Sequence, residues 1–116
     1  MADADPLLDV RELHKRFGAD GEYQVAVLNG ISFELQVGES LAITGPSGSG
    51  KSTLLHIVGA LDNPTAGTAI VEGIDLRHLS EVESARFRNE AVGFVFQNHY
   101  LLPQYTALEN VLLPCL

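Results

Sequence analysis

G-P-S-G-S-G-K-S-T, at residues 45–53, constrains the chain more than any other segment of its sequence. The segment fits the phosphate-binding loop pattern G-x-x-x-x-G-K-[S/T], in which Gly45 and Gly50 are the two required glycines. Glycine allows positive φ angles and a close approach of the backbone to phosphate oxygens, where a Cβ would clash. Backbone N–H groups can then face inward as an anion-binding nest, to which the following helix adds its positive dipole end.

Two side chains of this loop have specific predicted tasks. Lys51 is predicted to reach the β- and γ-phosphates of a nucleotide as a point charge, and the Ser52 hydroxyl to bind a Mg²⁺ ion that bridges the same phosphates. Lys51 is the only Lys or Arg between Arg16 and Arg77, so its loss should weaken anion binding strongly. The predicted nucleotide-binding residues of the loop are Gly45, Pro46, Ser47, Gly48, Ser49, Gly50, Lys51, Ser52 and Thr53.

The flanking residues supply the context that a phosphate-binding loop requires. Residues 41–44 form a short apolar run, which predicts a buried parallel strand. Residues 52–61 have apolar side chains at helical spacing, and the D-N-P-T-A-G sequence that follows predicts that this helix ends near Leu61. The alternative is a flexible loop rich in Gly and Ser that binds nothing.

Composition limits the other possibilities. The chain of 116 residues is long enough for one domain, and its 46% apolar and 19% charged residues are typical of a globular protein. With 7 basic and 15 acidic residues it has a net charge of −8, so we expect no nucleic acid partner. The single cysteine, Cys115, and the acidic start without an apolar leader predict a cytoplasmic protein.

Hydrophobic alternation predicts an antiparallel sheet outside the loop. After a disordered lead at residues 1–6, strands are predicted at 7–13 and 25–37, with an exposed turn or hairpin tip at 19–22. A third strand is predicted at 68–72, followed by a turn at Gly73 and a short return strand.

The second half of the chain carries two capping boxes and one further strand pattern. Ser80 with Glu83 and Thr106 with Glu109 each fit the S/T-x-x-E signature of a helix start, and the first of these helices should run to about Asn89. Between them, residues 92–96 form an apolar run that predicts a strand ending at Gln97.

Taken together, these motifs resemble the ATP-binding subunit of ATP-binding-cassette transporters, with the greatest likeness to the lipoprotein-release and macrolide-export branch. The segments that carry the resemblance are the loop and its helix (45–62), P-T-A-G (64–67), L-R-H-L-S (76–80), R-N-E-A-V-G-F-V-F-Q (88–97) and L-L-P-Q-Y-T-A-L-E-N-V (101–111). The resemblance implies an α/β fold: the N-terminal part of a P-loop (RecA-like) ATPase domain with an antiparallel β subdomain, in which 41–44 and 92–96 share one parallel sheet.

The resemblance also implies roles beyond the loop. Phe17 matches the aromatic position on which adenine stacks, the alternative being a simple core or hairpin residue. Gln97 matches the Q-loop glutamine, which joins Lys51 in catalysis and Ser52 at the Mg²⁺ ion of bound ATP; the alternative is an exposed amide at a strand end. Residues 98–113 would contact the transmembrane permease subunits, and a second ATP-binding subunit would complete the site at the cytoplasmic face of the membrane.

Three parts of the family pattern do not occur in this sequence: the L-S-G-G-Q signature, an apolar strand ending in Asp-Glu, and the switch histidine. We therefore expect residues 1–116 to be an incomplete, N-terminal fragment of a nucleotide-binding domain, with weak nucleotide binding and negligible hydrolysis by itself. Two alternatives are a non-catalytic nucleotide-binding remnant that docks on a membrane subunit and a small P-loop kinase, which would share only residues 45–53.

Overall fold

The computed structural model describes residues 5–18, 23–97 and 101–113. Within these residues, four strands form one antiparallel sheet in the order β2-β1-β3-β4. The elements in chain order are β1 (Leu8–Phe17), β2 (Val25–Leu35), α1 (Lys51–Val58), β3 (Ala66–Val71), β4 (Ile74–Asp75), a 3₁₀ turn (Leu76–His78), α2 (Glu81–Ala91) and α3 (Ala107–Leu112). The strands predicted at 7–13, 25–37 and 68–72 are therefore confirmed, and β1 extends further than expected.

A bulge in β1 sets which of its side chains are buried. The pairing of β1 with both β2 and β3 shifts between residues 10 and 14, and Glu12 has a positive φ of 46°. As a result Val10 and Leu13, three residues apart, are both buried, although a regular strand would place them on opposite faces. The Glu12 N–H donates to the Ser32 hydroxyl at 2.9 Å, so the bulged backbone keeps a hydrogen-bond partner.

Gly67 on β3 makes room for this bulge. Its φ is +88°, and a Cβ built on it would lie 2.1 Å from the carbonyl oxygen of Glu12. No side chain fits at that distance, so the sheet requires glycine here. Gly73 also has a positive φ, of +79°, but it faces open space in the turn that joins β3 to β4. This turn and the pairing of Val71 with Ile74 confirm the predicted return strand.

The core lies between one face of the sheet and the helices α1 and α2. Two of its side chains, Leu54 and Ile57, come from α1, and Phe87 comes from α2. The full buried apolar set is Val10, Leu13, Leu28, Leu54, Ile57, Ala69, Leu76 and Phe87. Burying each of the larger side chains stabilises the fold by about 1.5–3 kcal/mol. Burial of Leu54 and Ile57 in this core is what holds α1 to the sheet.

The helix after the loop ends earlier than its sequence predicts. Its last helical residue is Val58, and Ala60 adopts a left-handed conformation with a φ of 62°. The N–H groups of Ala60 and Leu61 donate to the carbonyls of Ile57 and His56 at 3.1 and 2.8 Å, the hydrogen-bond pattern of a Schellman motif. The predicted end near Leu61 was wrong because this cap ends the helix three residues sooner, at Val58.

Both capping boxes are confirmed. The Ser80 and Thr106 hydroxyls each accept from the N–H of a glutamate three residues on, at 3.1 Å, and both glutamate carboxylates accept in return. At the preceding 3₁₀ turn, hydrogen bonds from the Arg77 side chain and backbone hold the pKa of the Asp75 carboxyl below its usual range. Residues 81–91 are thus held at their start by side chains.

Two predicted strands are absent. Residues 41–44 and 92–96 are described, and neither is part of a strand. Leu41 is half exposed, so the expectation that 41–44 is buried was wrong as well. In the other segment, Val95 is fully exposed. A strand needs a hydrogen-bonded neighbour, and no strand of the described residues runs beside either segment. The predicted hairpin tip at 19–22 and the first four residues of the predicted lead lie outside the described residues.

Candidate functional site

The glycine-rich loop lies at the surface between β2 and α1. Its backbone turns through a hydrogen bond from the Ser49 N–H to the Pro46 carbonyl, at 3.2 Å. Gly50 is the N-cap of α1 with a φ of 96°, and a Cβ on it would lie 2.9 Å from a methyl group and the carbonyl oxygen of Val27. The second required glycine of the motif is therefore needed for packing against β2 as well as for the turn.

The N-terminus of α1 differs from those of α2 and α3. No side chain of the described residues caps it, and its first turn contains no acidic residue. By contrast, α2 and α3 each begin with a capping box whose glutamate lies in the first turn. The first N–H groups of α1 and its positive dipole end are thus not neutralised by a carboxylate, which favours an anionic ligand there.

Lys51 is the cation at this helix start. Its ammonium group donates to the carbonyl oxygens of Gly45 and Pro46, the latter at 2.9 Å. The side chain therefore folds back over the loop and lies along the backbone that forms it. An ammonium group in this place can interact with a phosphate bound in the loop, since it is next to the N–H groups of the first turn.

Two cavities adjoin the loop, and both are bordered by Lys51, Ser52 and Gln97. The first, of about 560 Å³, also contacts Val27 of β2. The second, of about 660 Å³, lies between α1 and the extended segment at 92–97. Lining the first cavity are Val27, Ser47, Gly48, Gly50, Lys51, Ser52, Thr53 and Gln97. The structure thus brings Gln97 beside the loop, although 45 residues separate it from Ser52 in the sequence.

The donor set at these cavities fits nucleotide-bound Mg²⁺ better than a protein-only metal site. Ser52 supplies a hydroxyl and Gln97 an amide oxygen, both of which are hard ligands suited to Mg²⁺. Among the described residues, no Asp or Glu borders either cavity. Across the described residues, no group of three His, Cys, Asp or Glu side chains is placed to hold a metal. A Mg²⁺ ion here would need phosphate and water for most of its ligands.

Phe17 lies apart from these cavities, at the end of β1. It pairs with Val25 of β2, two residues before Val27, and it lines neither cavity. The residue is 45% exposed, and the Lys15 ammonium lies 5.0 Å from the ring centre. The structure therefore keeps Phe17 available for stacking and places it on the side of the loop that β2 adjoins.

Val27 is the site residue that the sequence analysis did not identify. The pairing of β1 with β2 passes from Lys15–Leu28 to Arg16–Ala26, so Val27 is the extra residue of a bulge. It lies against Gly50 and borders the smaller cavity. The adjacent apolar residues Val27 and Leu28, which interrupt the alternation of the strand, were the available signal.

Residues 101–113 expose a series of apolar side chains. In α3, Leu108 and Val111 are more than two-thirds exposed, and no residue of this helix is buried. Asn110 holds the preceding turn through hydrogen bonds with Leu102, whose N–H donates to the Asn110 Oδ1 at 2.8 Å. The exposed apolar residues of the segment are Leu101, Leu102, Tyr105, Leu108, Val111 and Leu112. Residues 98–100 of the predicted contact surface lie outside the described residues.

Comparison with known proteins gives consistent matches. A family model described as ABC transporter matches residues 28–113. The lipoprotein-releasing system ATP-binding protein LolD of Shewanella frigidimarina is 51% identical, with 93% of this chain and 45% of the relative covered. The LolD protein of Geobacter metallireducens is 52% identical, with 95% of this chain and 48% of the relative covered. The chain thus spans about half the length of these relatives.

A solved structure has the same fold. It is the dimeric, post-hydrolysis state of the ATP-binding cassette MJ0796 bound to ADP and Pi. Its TM-score is 0.84 and its sequence identity 40%, with 92% of this chain and 46% of that chain covered. The predicted fold class, an incomplete α/β P-loop domain with an antiparallel subdomain, agrees with this neighbour. In the part of the chain that the structure describes, no helix has the length and apolar character needed to cross a membrane.

Proposed function

The chain belongs to the ATP-binding-cassette transporter family, and on this premise we propose that it binds MgATP through residues 45–53 to energise transport by partner membrane subunits. One observation carries the proposal. The N-terminus of α1 has glycine as its N-cap and no carboxylate in its first turn, and it adjoins the cavities that Lys51, Ser52 and Gln97 border. This arrangement suits a polyphosphate rather than a neutral ligand.

Each residue of the site has a defined part in binding. Lys51 would exchange the carbonyl oxygens of Gly45 and Pro46 for the β- and γ-phosphates. Ser52 and Gln97 would hold the Mg²⁺ ion, which neutralises developing phosphate charge when bound. Phe17 would stack on the adenine ring, for which its half-exposed π-face is sufficient.

Hydrolysis is expected to be negligible for this chain alone. Phosphoryl transfer depends on an oriented water and on groups that hold the metal. No carboxylate of the described residues borders either cavity, so neither the water nor the metal has an acidic partner here. The chain would bind the nucleotide without turning it over at a measurable rate.

The relatives favour lipoprotein release as the process that the nucleotide drives. Both LolD proteins are named for a lipoprotein-releasing system, and their identities of 51% and 52% extend over nearly the whole chain. We propose that the apolar residues of the 101–113 segment contact transmembrane subunits at the cytoplasmic face of the membrane. A second ATP-binding subunit is proposed as a further partner, because the cassette MJ0796 is described as dimeric. These matches favour a transporter subunit over a P-loop kinase.

The experiment measures ATP affinity in the presence of Mg²⁺ for the chain and for Lys51→Ala. Hydrogen bonds of a charged group are worth about 1.5–3 kcal/mol, so Lys51→Ala should weaken binding about 10- to 100-fold. Arg86→Ala is the matched control, because it removes one positive charge from an exposed position of α2, away from both loop cavities. Equal affinity for the chain and Lys51→Ala would overturn the proposal.

A further inference from the structure

Lys15 lies between the aromatic residue of the proposed site and the turn that follows α1. Its side chain is largely buried, with 14% of its surface exposed. The ammonium group donates to the Asn63 carbonyl at 2.8 Å and to the Asp62 carboxylate at 3.2 Å, and it also lies 5.0 Å from the centre of the Phe17 ring. One side chain thus contacts a strand end and a turn that are far apart in the sequence.

The ammonium position restrains the Phe17 ring. A cation within about 6 Å of a ring centroid is attracted to the π-face, and the attraction increases when the cation is shielded from water. The two oxygen acceptors at 62–63 fix the ammonium, so it can hold the ring in one orientation. Phe17 as a whole is 45% exposed, so it remains open to a stacking partner.

The same contact relates the ring to the phosphate-binding helix. The turn at 62–63 follows the Schellman cap of α1, whose opposite end carries Lys51 and Ser52. The distance between a base stacked on Phe17 and phosphates held at the loop therefore depends on Lys15. A ligand that contains both a base and a polyphosphate is sensitive to this distance, whereas a polyphosphate alone is not.

We propose that Lys15 is a positioning residue for nucleotide binding: it holds the Phe17 ring for the adenine base and fixes that ring relative to α1. This inference rests on the proposed function. It predicts that the contribution of the base to affinity, and not that of the phosphates, depends on Lys15.

The test compares the affinities of MgATP and of inorganic tripolyphosphate with Mg²⁺, by calorimetry, for the chain and its variants. Lys15→Met keeps the aliphatic stem and removes the charge, and it should weaken ATP about 3- to 10-fold with tripolyphosphate changed less than about 2-fold. Lys15→Arg should restore most of the ATP affinity, because a guanidinium also stacks on an aromatic ring and donates to oxygen. Arg16→Met, which removes one charge at the next, exposed position, should change neither affinity.

Three outcomes decide the matter. If Lys15→Met weakens both ligands equally, Lys15 acts only on the overall structure and the inference is overturned. If Phe17→Ala lowers the ATP affinity selectively and Lys15→Met does not, the base stacks on Phe17 without help from Lys15, and the inference alone is overturned. If Phe17→Ala changes neither ligand while Lys51→Ala weakens both, phosphate binding stands but base stacking and the role of Lys15 are overturned.

Discussion

The strands of the antiparallel sheet and the two apolar segments at 41–44 and 92–96 were all predicted to be strands, but their structures differ. Strand β1 has a hydrogen-bonded neighbour on each side, and its Val10 and Leu13 are buried. Residues 41–44 and 92–96 are richer in β-branched and aromatic residues than β1, but they form no strand, and Val95 is fully exposed. The difference shows that an apolar pattern indicates a need for burial, whereas a strand also requires a neighbouring edge.

The proposed site lies where these two regions meet. On one side, Val27 of the sheet packs against Gly50 of the loop. On the other, Ile43 and the segment at 92–97 border the larger cavity together with α1. The loop is therefore held mainly from the sheet side, through β2 and the buried residues Leu54 and Ile57.

The largest expected effect tests how much the sheet depends on its bulge. Gly67→Ala places a Cβ against the Glu12 carbonyl, whereas Gly73→Ala meets open space at a similar positive φ. The left-handed backbone should lower the free energy of unfolding of both variants by roughly 1–2 kcal/mol. The clash should lower that of Gly67→Ala by a further 1–3 kcal/mol, roughly. Unfolding in urea followed by circular dichroism measures the free energy of unfolding. Equal losses in the two variants would show that the bulge relaxes freely.

The second prediction concerns the hydrogen-bonding difference itself. Amide hydrogens of β1, which are held from both sides, should exchange with solvent at least about 100-fold more slowly than those of residues 41–44 and 92–96. Hydrogen–deuterium exchange followed by NMR gives these rates residue by residue. Comparable protection in the two regions would mean that the apolar segments are paired in solution, and the contrast between them and the sheet would then fail.

The smallest expected effect comes from removing the N-cap hydroxyl of α2 or of α3, two helices with the same kind of cap and different packing. Ser80→Ala should lower the free energy of unfolding by about 1 kcal/mol, because α2 contributes the buried Phe87 to the core. Thr106→Ala removes an equivalent capping box from α3, which has no buried residue, so the global value should change by less than about 0.3 kcal/mol. The same urea titration serves both variants. A larger loss for Thr106→Ala would show that α3 is coupled to the core.

Most structural features that depend on neighbouring residues were predicted correctly from the sequence. Two strands that depend on distant partners were not. Capping boxes and the turn at Gly73 depend on residues within four positions of each other, and both were confirmed. The strands at 41–44 and 92–96 depend on partners elsewhere, which a hydrophobic pattern does not identify. The early end of α1 depends on Ala60 in a left-handed conformation, which only a glycine or asparagine there would have signalled.

In the candidate site too, residues of a sequence motif were predicted, whereas contacts that depend on tertiary packing were not. The loop motif indicated residues 45–53 directly, and the structure places Lys51, Ser52 and Gln97 at common cavities. The contact of Val27 with Gly50 follows from a bulge, and the contact of Lys15 with residues 62–63 from the folding of α1 onto the sheet. Neither has a local sequence signature, since both depend on tertiary packing.

The bulge at Glu12 has a consequence for the length of β1. Ahead of it, even-numbered positions such as Val10 point into the core; beyond it, the odd-numbered Leu13 does. Residue 12 acts as a phase shift in the inside–outside alternation, so deleting this one residue would remove the bulge and leave Val10 and Leu13 two positions apart, on the same face of a regular strand. A one-residue deletion elsewhere in β1 would instead move the side chains beyond it to the opposite face, so this strand tolerates a change of length best at its bulge.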